Sequence, residues 1–343
     1  MRAVQIDEYG PAENFKLVDV PIPEPSEDEV LIKVEAASVI FADSLMRRGV
    51  YLNPPPSLPF IPGREVAGIV QKVGAKTKNV KPDIAEKVGA KITNINAGMR
   101  VTAFMHTGGY AEYAVASLKN VICLPDRVSF LNGLVYNNSL RIAYLAYYTF
   151  GKIQPYETIL LHAPAGGIGT LITQIAKRRA HNVVIALSSS DEKLAYCRAN
   201  GADYGINYKK SDYVEEVLRI TGGKGVNVSL NSVAGPTLKT DPRVIRPLGR
   251  WVIYGSAAGK GLIDIYEAAL PKSLTLNIFS VYTVFEREEY RQATDFLENW
   301  LHTEELISVS KTFPLEDVIA AHHWIDEQRS VGKIALLMGI CRS

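Results

Sequence analysis

The sequence predicts an α/β protein in which a β-rich domain is followed by a doubly wound parallel sheet, and two differences in pattern indicate this. Residues 1–126 are interrupted by proline and glycine, as in VPIPEPSEDEV, and carry short alternating apolar runs typical of strands. From residue 158 onward, apolar strand-like runs such as TILLH and NVVIAL alternate with longer helical patterns. That alternation is typical of a parallel sheet with helices on both faces.

The last part of the chain lacks the strand–helix alternation. The stretch REEYRQATDFLENWLHTEEL predicts an amphipathic helix, and VGKIALLMG predicts a final strand. We therefore expect three segments, with boundaries at 1–126, 127–275 and 276–343, of which the last rejoins the first domain. A length of 343 residues exceeds one typical hydrophobic core, which is consistent with two domains.

Composition excludes several classes of partner. The chain has 38 Lys and Arg against 36 Asp and Glu, a net charge of +2, so we expect neither nucleic acid nor a membrane surface as a partner. Cys123, Cys197 and Cys341 are far apart in sequence, which favours a reducing compartment over a disulfide framework. Because the N-terminus alternates like a strand and no apolar run is long enough to span a membrane, we expect a cytoplasmic location.

A local repeat is present: VGAKTKNVK at 73–81 recurs as VGAKITNIN at 88–96. A single repeat cannot build a solenoid, which needs several copies to bury a core. We interpret it as a small duplication that lengthens one surface hairpin or loop.

A glycine-rich turn between a strand and a helix gives the strongest functional signal. In TILLHAPAGGIG, the apolar strand is followed by three glycines and then by a helical pattern. Glycines there permit a tight turn, close approach to a pyrophosphate and close helix packing, and the helix N-terminus attracts phosphate. A plain tight turn is the alternative. The candidate pyrophosphate contacts are Ala165, Gly166, Gly167, Ile168 and Gly169.

The end of the second strand decides between NAD and NADP. There the sequence runs ALSSSDEK, with serines at 188–190 and Lys193 one helical turn further on. Small hydroxyls and a lysine suit a 2′-phosphate better than a ribose diol, which an acidic residue would bind. Asp191 and Glu192 act in the opposite direction, although acidic residues are also ordinary partners of a helix N-terminus. The pattern favours NADP(H).

Together, seven motifs resemble those of the medium-chain dehydrogenases/reductases, and most of all their zinc-independent quinone oxidoreductase branch. They are AASVIFADSLMRRGVY, IPGREVAGIV, GGYAEYAVA, HAPAGGIG, GADYGINY, ITGGKGVNVSLNSV and GKIALL, in the order and at about the spacing of that family. The resemblance covers nearly the whole chain. It implies a GroES-like catalytic domain built from 1–126 and 276–343, a Rossmann NADP-binding domain at 127–275, and frequently a homodimer joined through Rossmann edge strands.

The resemblance also implies cofactor contacts beyond the glycine-rich turn. Members of the branch contact NADPH through residues that match Ser190, Lys193 and Tyr208, and through loops after the later strands. In this chain those loops and the C-terminal segment contain Asn231, Ser232, Val233, Gly255, Ser256, Phe279, Val281 and Lys333. For Tyr208 and Lys333, the alternative is that they are ordinary residues at strand ends.

The residues that match the zinc ligands of the family cannot bind zinc. Zinc members use a Cys and a His at positions that match Ile40 and Arg64, one a hydrocarbon and the other a permanent cation. The cysteines of the structural zinc lobe are missing too, so we expect no metal. Glu65 is kept in the family with or without zinc, which indicates a structural role. Arg64 either faces the substrate cleft or has a surface or Glu65-paired role.

Without a metal, reduction is easier than alcohol oxidation, because no Lewis acid lowers the pKa of a hydroxyl. A quinone or a conjugated C=C accepts hydride at carbon and delocalises the charge onto oxygen, where donors must stabilise it. We expect Tyr51 and Arg47 to be those donors and Asp43 to orient them. The alternative is that Asp43 and Arg47 form a helix-surface pair.

Three departures from the family affect the substrate. The branch commonly has Asn at Ile40, Thr at Ile142 and Asp at Asn231. Two isoleucines in place of polar residues would make the cleft drier, which predicts a less polar acceptor or reduced activity.

Three functions follow from these observations. The first is an NADPH-dependent reductase of quinones or α,β-unsaturated carbonyls. The second is a 2-enoyl thioester reductase, which would need a basic rim for a carrier phosphopantetheine. The third is an NADPH-binding protein with little turnover that acts as a sensor, a structural protein or an RNA binder, although the low net charge argues against RNA.

Overall fold

The chain folds into two compact units. The computed structural model describes residues 1–51, 54–75, 95–305, 307 and 309–339. The two-segment unit comprises Met1–Asn138 and Asp295–Ser343, and the central unit comprises Ser139–Thr294. The expected boundaries, after residues 126 and 275, lie earlier in the chain than the changes of unit after residues 138 and 294. Each of these changes falls within a helix. Most of both copies of the VGAK repeat, and Cys341, lie outside the described residues.

The regular elements follow the predicted change of pattern. The strands are β1 (Arg2–Ile6), β2 (Phe15–Asp19), β3 (Glu29–Val39), β4 (Glu65–Val73), β5 (Arg100–Phe104), β6 (Tyr113–Ser117), β7 (Val121–Cys123), β8 (Thr158–His162), β9 (Val183–Ser188), β10 (Tyr204–Asn207), β11 (Val226–Asn231), β12 (Ile245–Ile253), β13 (Thr275–Ile278), β14 (Lys311–Pro314) and β15 (Ile334–Leu337). The helices are α1 (Phe41–Arg47), α2 (Phe130–Tyr144), α3 (Gly167–Ala180), α4 (Asp191–Ala199), α5 (Tyr213–Ile220), α6 (Asp241–Val244), α7 (Ile265–Ala269), α8 (Glu288–Thr303) and α9 (Val318–Asp326). Helices α2 and α8 are the two that span a change of unit.

The two-segment unit is built on a largely antiparallel sheet. Its strand order is β14-β15-β3-β4-β5-β7, with β6 also paired to β3. The C-terminal strand β15 pairs antiparallel with β3, with Leu336 opposite Ala37. Val30, Ile32 and Leu336 are among the buried side chains of its core. The C-terminal segment thus rejoins the first domain, as its sequence predicts.

The central unit is a fully parallel sheet in the order β10-β9-β8-β11-β12-β13. Leu160, Ile185 and Leu230 are completely buried, in keeping with a sheet covered on both faces. The first strand of this sheet in the chain is β8. Strands β9 and β10 are added on one side of it, and β11, β12 and β13 on the other, so the strand order reverses between β8 and β11. In open α/β sheets, ligands bind outside the carboxyl ends of the strands at such a reversal. The predicted doubly wound fold is confirmed.

Among the described residues, none of the helices combines the length and the apolar character needed to cross a bilayer.

Candidate functional site

The residues predicted to bind a cofactor in the central unit lie along one edge of the parallel sheet. Because the strands all run in one direction, their carboxyl ends share that edge. The predicted residues follow these ends in turn: Ala165–Gly169 after β8, Ser190 and Lys193 after β9, Tyr208 after β10, Ser232 and Val233 after β11, Gly255 and Ser256 after β12, and Phe279 and Val281 after β13. Asn231 is the last residue of β11.

The turn after β8 has the close packing that its glycines permit. A Cβ on Gly169 would lie 2.5 Å from the carbonyl oxygen of Ala163 and 2.7 Å from Cα of Pro164. Only glycine therefore lets the start of α3 come this close to the end of the strand. Gly166 is the N-cap of α3, and its carbonyl accepts a hydrogen bond from Thr170 Oγ1 at 2.9 Å. The first helical turn points N–H groups and a positive dipole end toward this edge, which suits a phosphate.

In the segment after β9, the carboxylate of Asp191 is bound by two neighbouring side chains. Asn207 Nδ2 donates to Asp191 Oδ1 at 2.8 Å, and Lys210 Nζ contacts Asp191 Oδ2 at 2.5 Å. The Lys210 hydrogen bond, followed by that of Asn207, lowers the pKa of Asp191. Both oxygens of the carboxylate that could have bound a ribose diol are therefore engaged.

On the positive side of the same segment, Lys193 is subject to the charges of both Glu192 and Lys209. Ser190 is the N-cap of α4 and accepts a hydrogen bond from the backbone N–H of Lys193 at 3.3 Å. Burial, and then the nearby charge of Lys209, lowers the pKa of Lys193. The N-terminus of α4 and the charge of Lys193 both favour an anion next to Ser190.

Aromatic rings surround the end of β13. Phe279 stacks on Phe150 with centroids 4.2 Å apart and an angle of 11° between the rings. Tyr254, after β12, lies 6.0 Å from the Phe279 centroid. Asn277 Nδ2 donates to the carbonyl of Phe150 at 2.9 Å, which fixes this stack to β13. The ring of Phe279 therefore has a fixed orientation beside the predicted cofactor edge.

In the two-segment unit, Asp43 caps the helix that carries Arg47. Its Oδ2 accepts hydrogen bonds from Ile40 N at 3.0 Å and from Tyr110 Oη at 3.1 Å. Within the described part of the chain, Asp43 Oδ1 is buried without a hydrogen-bond partner. Burial raises the pKa of Asp43 to about 7, despite the Ile40 hydrogen bond and the charge of Arg64.

Arg47 lies in a different set of contacts from the one expected. Its Nε donates to Gly10 O at 3.0 Å, and its guanidinium pairs with Asp326 at 2.8 Å and contacts His322 Nδ1 at 3.3 Å. The expected orientation of Arg47 by Asp43 is therefore replaced by pairing with Asp326. Nor do Asp43 and Arg47 form a helix-surface pair, because both are buried.

Tyr51 is joined instead to Arg64. Arg64 Nη1 donates to Tyr51 Oη at 3.2 Å, and the guanidinium lies 5.1 Å from the Tyr51 ring and 4.7 Å from the Phe104 ring. Arg64 is 2% exposed, so a surface role for it is wrong. A buried cation between two rings and beside a phenol strengthens the phenol as a hydrogen-bond donor.

Glu65 and Lys333 form a buried ion pair. Lys333 Nζ contacts Glu65 Oε2 and donates to the carbonyl of Leu134 at 2.7 Å, and Ser38 Oγ donates to the same Glu65 oxygen at 2.6 Å. Glu65 thus has the structural contacts that the sequence indicates. Lys333, expected at the cofactor, is joined to this carboxylate; the charge of one partner would be costly without the other.

The positions that match zinc ligands contain Ile40 and Arg64, with the first directly before α1. Within the described ranges, no cluster of three or more His, Cys, Asp or Glu side chains is arranged to hold a metal. Ile142 lies half-buried in α2.

Sequence reasoning missed the residues that complete the Asp43 and Arg47 contacts. Tyr110 Oη lies 3.2 Å from His322 Nε2, and Asp326 is on the same helix as His322. Burial lowers the pKa of His322 to about 3, so the ring is neutral at physiological pH. No local motif could have revealed this group, because members such as Arg47 and Asp326 are 279 residues apart in the sequence.

The fold and the strand-edge site define a class: proteins that join a β-rich unit to a doubly wound sheet with a glycine-rich, dinucleotide-type turn. Comparison with known proteins refines it. A family model described as alcohol dehydrogenase GroES-like domain matches residues 26–126, and one described as zinc-binding dehydrogenase matches residues 167–299. The chain belongs to the medium-chain dehydrogenase/reductase superfamily, in its quinone oxidoreductase branch.

Individual relatives cover the chain from end to end. The quinone oxidoreductase of Sus scrofa is 31% identical over 348 residues, which is 98% of each chain. A mycobacterial protein solved with NADPH has a TM-score of 0.88 and 28% identity, with 98% of this chain and 100% of that one covered. The Escherichia coli quinone oxidoreductase, also solved with NADPH, has a TM-score of 0.87 and 26% identity, with the same coverage. NADP(H), the cofactor expected from the sequence, is the one these neighbours hold.

The raised pKa of Asp43 predicts a pH-dependent stability. A carboxyl whose pKa is about 7 in the folded state and 3.8 when unfolded penalises folding increasingly as pH rises between these values. Asp43→Asn preserves the shape of the side chain and removes its titratable group. As the pH rises from about 5 to about 8, the Tm of the wild type should therefore fall relative to that of the variant by roughly 2–8 °C.

Asp326→Asn is the matched control for this measurement. Burial opposes ionisation of Asp326, but the Ser44 and Arg47 hydrogen bonds outweigh it and lower its pKa. The wild type should therefore lose stability relative to this variant at acidic pH only. Parallel Tm curves for the wild type and Asp43→Asn, recorded by differential scanning fluorimetry, would contradict the assignment.

Proposed function

We propose that the chain is an NADPH-dependent oxidoreductase that delivers hydride to a small electrophile, a quinone or an α,β-unsaturated carbonyl, without a metal. The observation that supports this best is the placement of all the predicted central-unit loops along one strand edge, at the reversal of strand order. The NADPH held by the mycobacterial and Escherichia coli neighbours supports the same proposal.

The cofactor fits the residues present. Gly169 lets the start of α3 lie close to the turn after β8, where a Cβ would clash with the backbone of Ala163 and Pro164, and the N-terminus of α3 would hold the pyrophosphate. Ser190 and Lys193 would hold the 2′-phosphate, while Asp191 stays on Asn207 and Lys210. When bound, NADPH supplies the hydride. These residues bind and orient; the polar contacts of the acceptor must come from elsewhere in the chain.

Tyr51 is the donor we propose for the acceptor oxygen. Its oxygen accepts a hydrogen bond from Arg64, so the guanidinium polarises the phenolic O–H toward a developing oxyanion. Hydride addition to a quinone or enone places negative charge on that oxygen, and a proton must follow to complete the reduction. We do not propose Arg47 as a second donor to the acceptor oxygen, because its guanidinium is bound by Gly10, His322 and Asp326.

The proposed activity is tested by steady-state assay of quinones, enones and 2-enoyl-CoA esters with NADPH and with NADH, in the presence and absence of EDTA. We expect turnover of a quinone or enone with NADPH that EDTA leaves unchanged. Tyr51→Phe should lower kcat by about 10- to 100-fold with little change in NADPH affinity, because it removes one oxyanion donor.

Tyr156→Phe is the control, since Tyr156 is 75% exposed and lies in the other unit. Tight NADPH binding with no turnover of any acceptor would favour a cofactor-binding protein over an enzyme. Turnover of enoyl-CoA alone would change the substrate class from quinones and enones to 2-enoyl thioesters.

The preference for NADPH depends on the lysine beside Ser190. Lys193→Ala should raise the Kd of NADPH by about tenfold and leave that of NADH nearly unchanged, because the loss of one charge-assisted contact to the 2′-phosphate affects only the former. Lys224→Ala, an exposed lysine in a loop before β11, is the control. Equal losses of affinity for NADPH and NADH, measured by fluorescence titration, would place Lys193 outside the 2′-phosphate site.

We also propose a homodimer joined through β13. This strand is one of the two edges of the parallel sheet, and an edge strand offers unpaired backbone groups to a second copy. Ile278, its last residue, is 69% exposed, an unusual position for a large apolar side chain. Light scattering after gel filtration should give twice the chain mass for the wild type and a monomer for Ile278→Lys. A monomeric wild type at micromolar concentration would contradict the dimer.

A further inference from the structure

A buried carboxylate lies directly beneath the loop that follows β11. Asp241, the first residue of α6, is fully buried. Its two oxygens accept hydrogen bonds from five side chains: His162 Nε2 at 3.0 Å, Tyr213 Oη at 2.8 Å, Ser229 Oγ at 2.8 Å, Asn231 Nδ2 at 2.8 Å and Trp251 Nε1 at 3.2 Å. Burial would raise the pKa of Asp241, but the His162 ring and the hydrogen bonds from Ser229 and Asn231 lower it overall. The group is therefore an anion at neutral pH.

The Asn231 amide uses all of its hydrogen-bonding capacity. Its Nδ2 donates to Asp241 Oδ2 and to Thr237 Oγ1, both at 2.8 Å. Its Oδ1 accepts from the backbone N–H groups of Val233 at 2.8 Å and Ala234 at 2.9 Å. Because Asp241 can only accept, it fixes which end of the amide faces it, and so directs the amide oxygen at the loop.

The loop needs this support because its backbone is strained. Ala234 has φ of 54° and ψ of −137°, a region that residues with a Cβ rarely adopt. Thr237 Oγ1 donates to the Ala234 carbonyl at 2.7 Å, so the partner of the Asn231 amide also holds the far end of the loop.

The loop after β11 is in turn docked on the loop after β12. Ala257 N donates to Ser232 O at 3.2 Å and Ala258 N donates to Val233 O at 2.8 Å. A Cβ on Gly255 would lie 2.6 Å from the Ser232 carbonyl oxygen. A shift of the first loop would therefore displace the second, and both carry residues predicted to bind the cofactor.

We propose that Asp241 is a positioning residue for the cofactor site: its carboxylate orients the Asn231 amide, and that amide holds the strained backbone of residues 232–234 in its binding conformation. The inference rests on the proposed function for the identity of the ligand. With Asp241 present, an Asp at 231 would set two carboxylates at hydrogen-bond distance, and one would have to take up a proton or turn away.

The pair is tested with the variants Asn231→Asp, Asn231→Ala and Asp241→Asn. Two readouts are used: hydrogen–deuterium exchange of residues 232–234 without ligand, and the Kd of NADPH. Asn231→Asp should speed exchange and raise the Kd by about tenfold at about pH 8, with a smaller effect at about pH 6, where a shared proton joins the carboxylates. His162 and Tyr213 are the other titratable groups facing Asp241. Asp241→Asn should likewise speed exchange and raise the Kd, because an amide at 241 no longer fixes which end of the Asn231 amide faces it.

Ser229→Ala is the matched control. It removes another donor to Asp241, one that lies within β11 and not in the loop, so it should lower Tm without changing loop exchange or the Kd. If Asn231→Asp does not fold, Asn231→Ala gives the same readouts without adding a charge. Unchanged loop exchange in the Asn231 variants, or in Asp241→Asn, would overturn the inference. A wild type that binds no NADPH would overturn the proposed function instead, while the exchange measurement would still decide the role of Asp241.

Discussion

Parallel pairing of the strands in the central unit is the constraint on which the candidate site depends. Because each strand runs in the same direction, loops from β8 to β13 meet at one edge although they span well over a hundred residues of sequence. The reversal of strand order at β8 and β11 then separates the flanking helices, and the glycine turn opens there. Every cofactor residue predicted in this unit takes its place from this geometry.

Buried charges determine how precisely these loops, and the residues of the other unit, are held. Asp241 accepts from five donors, and the Glu65 and Lys333 pair is completed by Ser38 and Leu134. A buried ion is tolerated only when its hydrogen bonds are made, so each such group fixes the elements that supply its partners. In both units, ionic groups that sequence patterns alone would assign to catalysis or leave unnoticed are engaged by neighbouring side chains and backbone groups.

The catalytic set predicted in the two-segment unit illustrates how the fold reassigns such partners. Asp43, Arg47 and Tyr51 are near one another in sequence, which made a single catalytic group attractive. The fold gives them separate partners: Tyr110 for Asp43, Asp326 for Arg47 and Arg64 for Tyr51. Arg64, which the sequence marked chiefly as the residue that replaces a zinc ligand, is thereby the cation next to the proposed donor.

The sequence by itself determined the fold class, the return of the C-terminal strand to the first unit, and the glycine turn, because these depend on local periodicity and on residues adjacent in the chain. It also indicated NADP(H), although Asp191 left that preference open. Only the tertiary structure decided that Asp191 is engaged by Asn207 and Lys210, and that Asp241 faces Asn231. Such pairings join side chains from different strands and helices. The spacing of residues along the chain does not predict which carboxylates, amides and cations will come into contact once the sheet has formed.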